Sequence, residues 1–110
     1  MDRTRINRVK LEYILRERTK IYVLPEERAI FSFDTEQDQY VILAEGWKNL
    51  KHLHSVIGHV EIRDEKIWIL RDNTQEGIAT WLLEGGFDSN QIVLGFQHAS
   101  LRPYTEFAAA

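Results

Sequence analysis

The chain has no cysteine, only two prolines and only six glycines among its 110 residues. Without cysteine there is no disulfide framework, no thiol nucleophile and no Cys-ligated zinc or iron–sulfur site. No apolar run approaches the ~18 residues of a membrane helix. Met1 is followed by Asp2, Arg3 and Arg5 rather than by an apolar leader, so a cytoplasmic protein is the expectation. The few glycines make neither a G-x-x-x-x-G-K phosphate loop nor a G-x-G-x-x-G dinucleotide turn, and no serine sits in a G-x-S-x-G elbow. What is present suits a single domain over 1–110: 44% hydrophobic and 28% charged residues, enough for one core without staples.

Charge is unevenly placed. The net value is −3, yet residues 1–20 carry +4 and residues 21–110 carry −7. A basic first segment can be a nucleic-acid arm. On a helix, however, Arg5, Arg8, Glu12 and Arg16 share one side, with Glu12 four residues before Arg16, the spacing of a surface salt-bridge ladder. The acidic remainder would also repel a phosphate backbone.

Residues 2–21 hold no glycine or proline and predict a helix. Its apolar residues form two stripes on nearly opposite sides, Ile6, Val9 and Tyr13 in one and Leu11, Ile14 and Leu15 in the other. One sheet face covers one stripe, so the second needs another partner, and a homodimer or larger symmetric oligomer is expected. Alternation at Ala29, Phe31 and Phe33 predicts a strand. Tyr40 to Trp47 is apolar on both faces except at Glu45, the pattern of a central strand. Residues 51–63 predict a third strand, with Val56, Val60 and Ile62 on one face, Leu53 and Ile57 on the other, and Gly58 marking a bulge or a close backbone approach. Lys66 to Leu70 predicts a fourth. Short links between them favour an antiparallel meander over 28–70. A helix over 73–84 follows, with a capping-box-like start at Asp72, Asn73, Gln75 and Glu76 and a Gly85-Gly86 end. Ile92 to Phe96 is a short strand or extended segment before an irregular tail. The class is α+β, with the second helix packed on the sheet.

Candidate chemistry is sparse. His52 and His54 lie on one face of a strand, about 6.6–6.8 Å apart along it, a spacing that can hold a metal. The glutamate that a cupin would add is missing, and two polar residues at a strand start explain the pair equally. His59 beside Glu61 reads as a cross-strand hydrogen-bonding histidine, since no nucleophile stands at a fixed spacing from it. Asp34, Glu36 and Asp38 open like a calcium loop but lack its sixth-position glycine, and fit a solvated turn. Trp81 reads as core. Trp47 can be core or interface, and Trp68 faces away from Ile67 and Ile69, so either both sheet faces are covered or it marks a binding face. No cofactor and no metal are implied.

Several segments occur in order at characteristic separations: Phe33-Asp-Thr-Glu-Gln-Asp-Gln-Tyr40, Glu45-Gly-Trp47, His59-Val-Glu-Ile62, Lys66-Ile-Trp-Ile69, DNTQEGIA from Asp72 to Ala79, Ile92-Val-Leu-Gly-Phe96, and Arg102 with Thr105-Glu-Phe-Ala108. Through them the chain from about Ile30 to Ala108 resembles the fdxN-element excision controlling factors, the XisI-like family. It departs from that pattern at Glu65 and Asn73, where glycine is usual, and at Gln97 and Ala99, where a histidine and then a proline are usual, with His98 the only substitute at hand.

The resemblance implies an accessory factor in programmed excision of a DNA element, without catalytic residues of its own, acting on a nuclease-like partner of the XisH type. The acidic body would suit a basic partner surface, and direct DNA contact would be weak or indirect. The alternatives are a DNA-binding accessory using the basic first helix, or an enzyme built on His59, Glu61, Arg102 and Glu106. The binding candidates are Trp47, His59, Glu61, Trp68, Arg102, Glu106 and Phe107. The tail is expected to be ordered, with Phe107 buried and Arg102 bonded to a carboxylate or to backbone carbonyls.

Overall fold

In the computed structural model, which describes residues 5–110, five strands lie in chain order. These are β1 (Glu27–Asp34), β2 (Gln39–Lys48), β3 (Lys51–Arg63), β4 (Lys66–Asp72) and β5 (Ile92–Val93). Strands β1 to β4 form the expected antiparallel meander, and β5 adds parallel to β4 through Ile67–Ile92 and Trp68–Val93. Helices α1 (Arg8–Thr19) and α2 (Ile78–Glu84) pack on one face. There Leu11, Ile14, Leu15, Ile78, Trp81 and Leu82 meet Tyr40, Ile42, Ala44, Val60, Ile62, Ile67 and Ile69, all buried. The fold is therefore α+β with one covered and one open sheet face.

Both helices are shorter than the sequence suggests. Asn7 caps α1 by accepting from the Lys10 N–H at 3.0 Å, which satisfies one of the free donors of the first turn. Residues 1–4, where the longer helix was expected to begin, lie outside the described residues. Beyond Thr19 the chain tightens into a 3₁₀ turn at Lys20–Tyr22. Of the two stripes, Leu11, Ile14 and Leu15 are buried, while Val9 and Tyr13 stay 78% and 65% exposed. Ile6 is buried ahead of the helix, its N–H donated to Glu65 Oε2 at 2.7 Å.

The predicted capping box of the second helix does not form. Helix α2 starts five residues later, because Asp72 reaches forward: its Oδ2 accepts from the Ile78 N–H at 2.7 Å and its Oδ1 from Thr74. Asn73 donates through its side chain to the Val56 carbonyl, and Thr74 Oγ1 accepts from the Gly77 N–H. Glu76, expected to cap, accepts instead from the Trp81 indole, the Tyr22 hydroxyl and Arg18. Those donors, the indole foremost, hold its carboxyl below the usual range, with burial opposing. Every polar side chain named here from the DNTQEGIA stretch thus serves the backbone or the seam between the helices. The helix ends as expected: Gly86 sits at φ +100°, with Gly86 N–H on Leu83 O and Phe87 N–H on Leu82 O.

Gly58 proves to be both things its sequence context suggested. The register slips beside it, where Ile42 faces Gly58 and Leu43 faces Val56, leaving Ile57 as the extra residue. A Cβ at Gly58 would stand 2.6 Å from Ile78 Cδ1. The bulge overturns the expected faces of β3. An inserted residue inverts a two-residue period, so Val56 shares the open face with Leu43 while Val60 and Ile62 line the core. Asn73 N–H meets the carbonyl of the bulged Ile57 at 2.9 Å.

Candidate binding face

Antiparallel partners share a face, so the register assigns the sheet surface opposite the helices. It carries Arg28, Ile30 and Ser32 of β1, Gln39, Val41, Leu43, Glu45 and Trp47 of β2, and His52, His54, Val56, His59, Glu61 and Arg63 of β3, with Trp68 of β4. Ile30, Val41, Leu43 and Val56 form a half-buried apolar strip across three strands. Sequence reasoning overlooked that strip: both faces of β2 were seen to be apolar, yet helices cover only one.

A polar chain of contacts closes one end of the strip. His59 Nε2 bonds Gln39 Oε1 at 2.7 Å, Gln39 Nε2 donates to Glu61 Oε1 at 2.5 Å, and Arg63 Nε donates to Glu61 Oε2 at 2.6 Å. The Gln39 amide is the main cause that holds the Glu61 carboxyl below the usual range, aided by Arg63 and opposed by burial. Arg63 and Arg102 both stand against the Trp68 ring, 4.1 and 4.9 Å from its centroid. Trp68 is buried, at 8% exposure, on the open face: Val93 pairs with it and the tail brings Arg102 over it.

The structure thus gathers four of the seven binding candidates, His59, Glu61, Trp68 and Arg102. Two residues that sequence reasoning missed, Gln39 and Arg63, connect them. Hairpin arithmetic could have found Arg63, because a two-residue turn at Asp64-Glu65 sets Arg63 opposite Lys66 and Glu61 opposite Trp68; Gln39 meets Glu61 only because the bulge at Ile57 shifts the β2–β3 register by one residue. His59 is a cross-strand histidine bonded to a glutamine amide, with Gln39 standing between it and Glu61. Arg102 Nε donates to the Gln97 carbonyl at 3.1 Å, the backbone bond expected of it.

The other three lie elsewhere. Trp47 is 60% exposed at the far end of β2, roughly 27 Å from Gln39 at about 3.4 Å per residue. It stacks on His52 at 4.6 Å, and His52 Nε2 meets Glu45 Oε2, which with Arg28 holds the Glu45 carboxyl low, Arg28 foremost. Glu106 is exposed and makes no bond to Arg102 among the described residues, so it does not join the proposed catalytic quartet. Phe107 is half-buried rather than fully buried, and packs against the helix-side core. The tail is ordered around it: Ala108 N–H donates to the Ile92 carbonyl at 2.9 Å, and Ala108 bridges Val93. The His98 ring, the substitute for the missing histidine, bonds through Nδ1 to Ser100 beside it.

The remaining motifs resolve into structure. Asp34 closes its own turn by accepting from Glu36 and Gln37 N–H, whereas Asp38 pairs with Arg8, so the acidic trio does not converge. Among the described residues no three His, Cys, Asp or Glu side chains stand together as a metal site, and no helix is long and apolar enough to cross a membrane.

The basic side chains of α1 turn inward onto the chain's own surface. Arg8 forks onto Asp38 at 2.8 and 2.9 Å and also reaches Glu65. Lys10 lies over the Phe87 ring, Arg16 over Phe31 and Phe33, and Arg18 pairs with Glu84 and Glu76. The expected solvent-side ladder between Glu12 and Arg16 gives way to these longer-range partners.

Fold and face together define a two-layer α+β domain that presents a broad, partly apolar sheet surface. Residues 1–109 match the family model described as XisI protein, and the chain belongs to that family. Two solved structures from Anabaena variabilis ATCC 29413 resemble it. One is a XisI-like protein, 25% identical, covering 94% of each chain with a TM-score of 0.78. The other is the fdxN element excision controlling factor XisI, 34% identical over 92% of this chain and 99% of that one, with a TM-score of 0.68. No curated protein matches.

Proposed function

We propose that this chain is a non-enzymatic accessory factor in the excision of a DNA element, and that it binds a nuclease-related partner of the XisH type through its open sheet face. The observation that carries this reading is the division of surface roles. The cations of α1 are engaged by the chain's own carboxylates and rings, while among the described residues no helix covers the strip of Ile30, Val41, Leu43 and Val56. Similarity to the excision controlling factor supports the process, and the partner class is the one that the resemblance to the family implies. The polar network from His59 to Arg102 then frames the strip, and polar rims around apolar centres are ordinary interface anatomy.

The test is calorimetry with a purified XisH-type protein. Leu43→Asp and Val56→Asp, both on the open face, should weaken binding at least tenfold while the circular dichroism spectrum and melting curve stay native-like. Unchanged affinity in both variants would overturn the assignment of the face. Duplex DNA, titrated by anisotropy at physiological salt, should bind no more tightly than the ~10⁻⁶ M of non-specific contact. A much tighter constant that falls steeply with salt would favour the basic helix as a DNA arm instead.

A further inference from the structure

Strand β1 is an edge strand: it pairs with β2 on one side, and no described strand lies on the other. Such edges are normally blunted by charged side chains, proline, a bulge or a cover. Strand β1 has no proline, its charged residues Glu27, Arg28 and Asp34 sit at its two ends, and its pairing with β2 runs without a register shift from Glu27 to Asp34. From the register, Ala29, Phe31 and Phe33 face the helix side and Arg28, Ile30, Ser32 and Asp34 the open side.

We infer that β1 pairs antiparallel with β1 of a second copy of this chain, about a two-fold axis through Phe31, joining the two sheets into one of ten strands. The register follows from the sequence of the edge. A symmetric antiparallel pair that keeps both core faces on one side must join residues of like parity. Centred on Phe31, it sets Arg28 opposite Asp34 of the second copy, Ala29 opposite Phe33, and Ile30 opposite Ser32. Opposite charges meet at both ends, and a small residue meets a large one between them. Centred one residue earlier, the pairing would set Glu27 against Phe33 and Arg28 against Ser32, with no charge pair. Arg28 is free to serve: its side chain is 71% exposed, and only its Nε is engaged, by Glu45. Asp34 keeps a lone pair on Oδ2, which accepts only from the Gln37 amide.

A second feature lies on the same flank. Arg16 stands 5.0 and 4.9 Å from the Phe31 and Phe33 centroids, so this side of α1 overlooks β1. Val9 sits seven residues before Arg16, about 20° away around the helix, and Tyr13 is three residues before it. These are the exposed apolar residues of the uncovered stripe. An axis perpendicular to the sheet brings both copies of α1 to one side, with these flanks turned toward each other. One edge therefore accounts for both the unpaired strand and the uncovered stripe.

Light scattering at tens of micromolar should give twice the 13.0 kDa chain mass. Ser32→Lys, an exposed edge position on the open side, should raise the dimer dissociation constant at least tenfold while the monomer keeps its melting curve. The absence of native cysteine allows a direct register test. A mixture of Ile30→Cys chains with Ser32→Cys chains should form a disulfide-linked pair faster than either alone. A monomer at this concentration, a dimer indifferent to Ser32→Lys, or no preference for the mixed cross-link would each overturn the inference.

Discussion

Replacing Glu65 by glycine and by alanine separates two terms that the native residue combines. Asp64 and Glu65 form the two-residue turn between β3 and β4, at φ +51° and +54°. That mirror-image turn matches strand twist and favours glycine at its second position. A non-glycine residue there carries roughly 1 kcal/mol of backbone strain. Glu65 offsets it with its side chain: Oε2 accepts from the buried Ile6 N–H at 2.7 Å, and Oε1 lies 3.4 Å from Arg8. The first contact is charge-assisted and its loss orphans a buried donor, an effect of about 1–3 kcal/mol. The second joins side chains 28% and 35% exposed and contributes little.

Glu65→Ala keeps the strain and loses the bond, so it should destabilise by about 2 kcal/mol. Glu65→Gly loses the bond and relieves the strain, so it should cost about 1 kcal/mol less than alanine. In a domain of this size that difference is about 4 °C in Tm. Thermal melts at pH 7 and one fixed protein concentration, since self-association shifts Tm, should rank native above glycine above alanine. Coincident alanine and glycine curves would refute the strain argument. An alanine variant as stable as the native chain would refute the bond to Ile6.

Arg8 holds the Asp38 carboxyl below its ordinary 3.8, with burial opposing. A lowered folded pKa means stability that is present above the unfolded value and lost as pH falls through the folded one. Asp38→Asn, which tolerates the positive φ, should therefore lower the urea midpoint at pH 7 and converge with the native chain in acid well below pH 3.8. Deleting residues 104–110 removes the Phe107 packing and the Ala108–Ile92 bond. It should destabilise by about 2–3 kcal/mol, given a half-buried aromatic, and a melt within 1 °C of native would make the tail dispensable. Trp47→Ala alters an exposed stack on His52 and should shift stability by under about 0.5 kcal/mol, so any tenfold loss of partner binding would place the partner at that end of the sheet.

The strands were legible because alternation survives wherever one face is buried, and polar turn residues mark the links at 34–38 and at Asp64-Glu65. The faces of β3 were not, because one bulged residue at Ile57 inverts the period and glycine beside it only hints at where. The start of α2 was misplaced for a related reason: Asp72, Asn73 and Glu76 fit capping boxes by spacing, yet Asp72 reaches on to the Ile78 N–H, beyond capping-box range, and Asn73 and Glu76 bond across the fold to Val56 and to Tyr22 and Arg18. Of the site, His59 and Glu61 could be read as strand neighbours. Their link through Gln39 belongs to the register between two strands, and the approach of Arg102 to Trp68 joins positions thirty-four residues apart.

The charge asymmetry of the chain acquires its meaning only from this tertiary pairing. A +4 segment ahead of a −7 remainder invites comparison with a nucleic-acid arm, yet Arg8 and Arg18 close onto Asp38, Glu65, Glu76 and Glu84 of that remainder. These carboxylates sit on the hairpin turns and around α2, so the basic helix matches the acidic rim of the surface it covers. Leu11, Ile14 and Leu15 supply the burial beneath it and the ion pairs orient it. Salt distinguishes a helix seated by apolar burial from one held by its ion pairs. At about 1 M ionic strength the screening length falls to ~3 Å, which weakens exposed pairs such as Arg18–Glu84 but leaves apolar burial intact. Amide exchange along α1 should then quicken modestly with no change in the overall fold. A helix held mainly by charge would instead detach under the same conditions and expose Leu11 and Leu15.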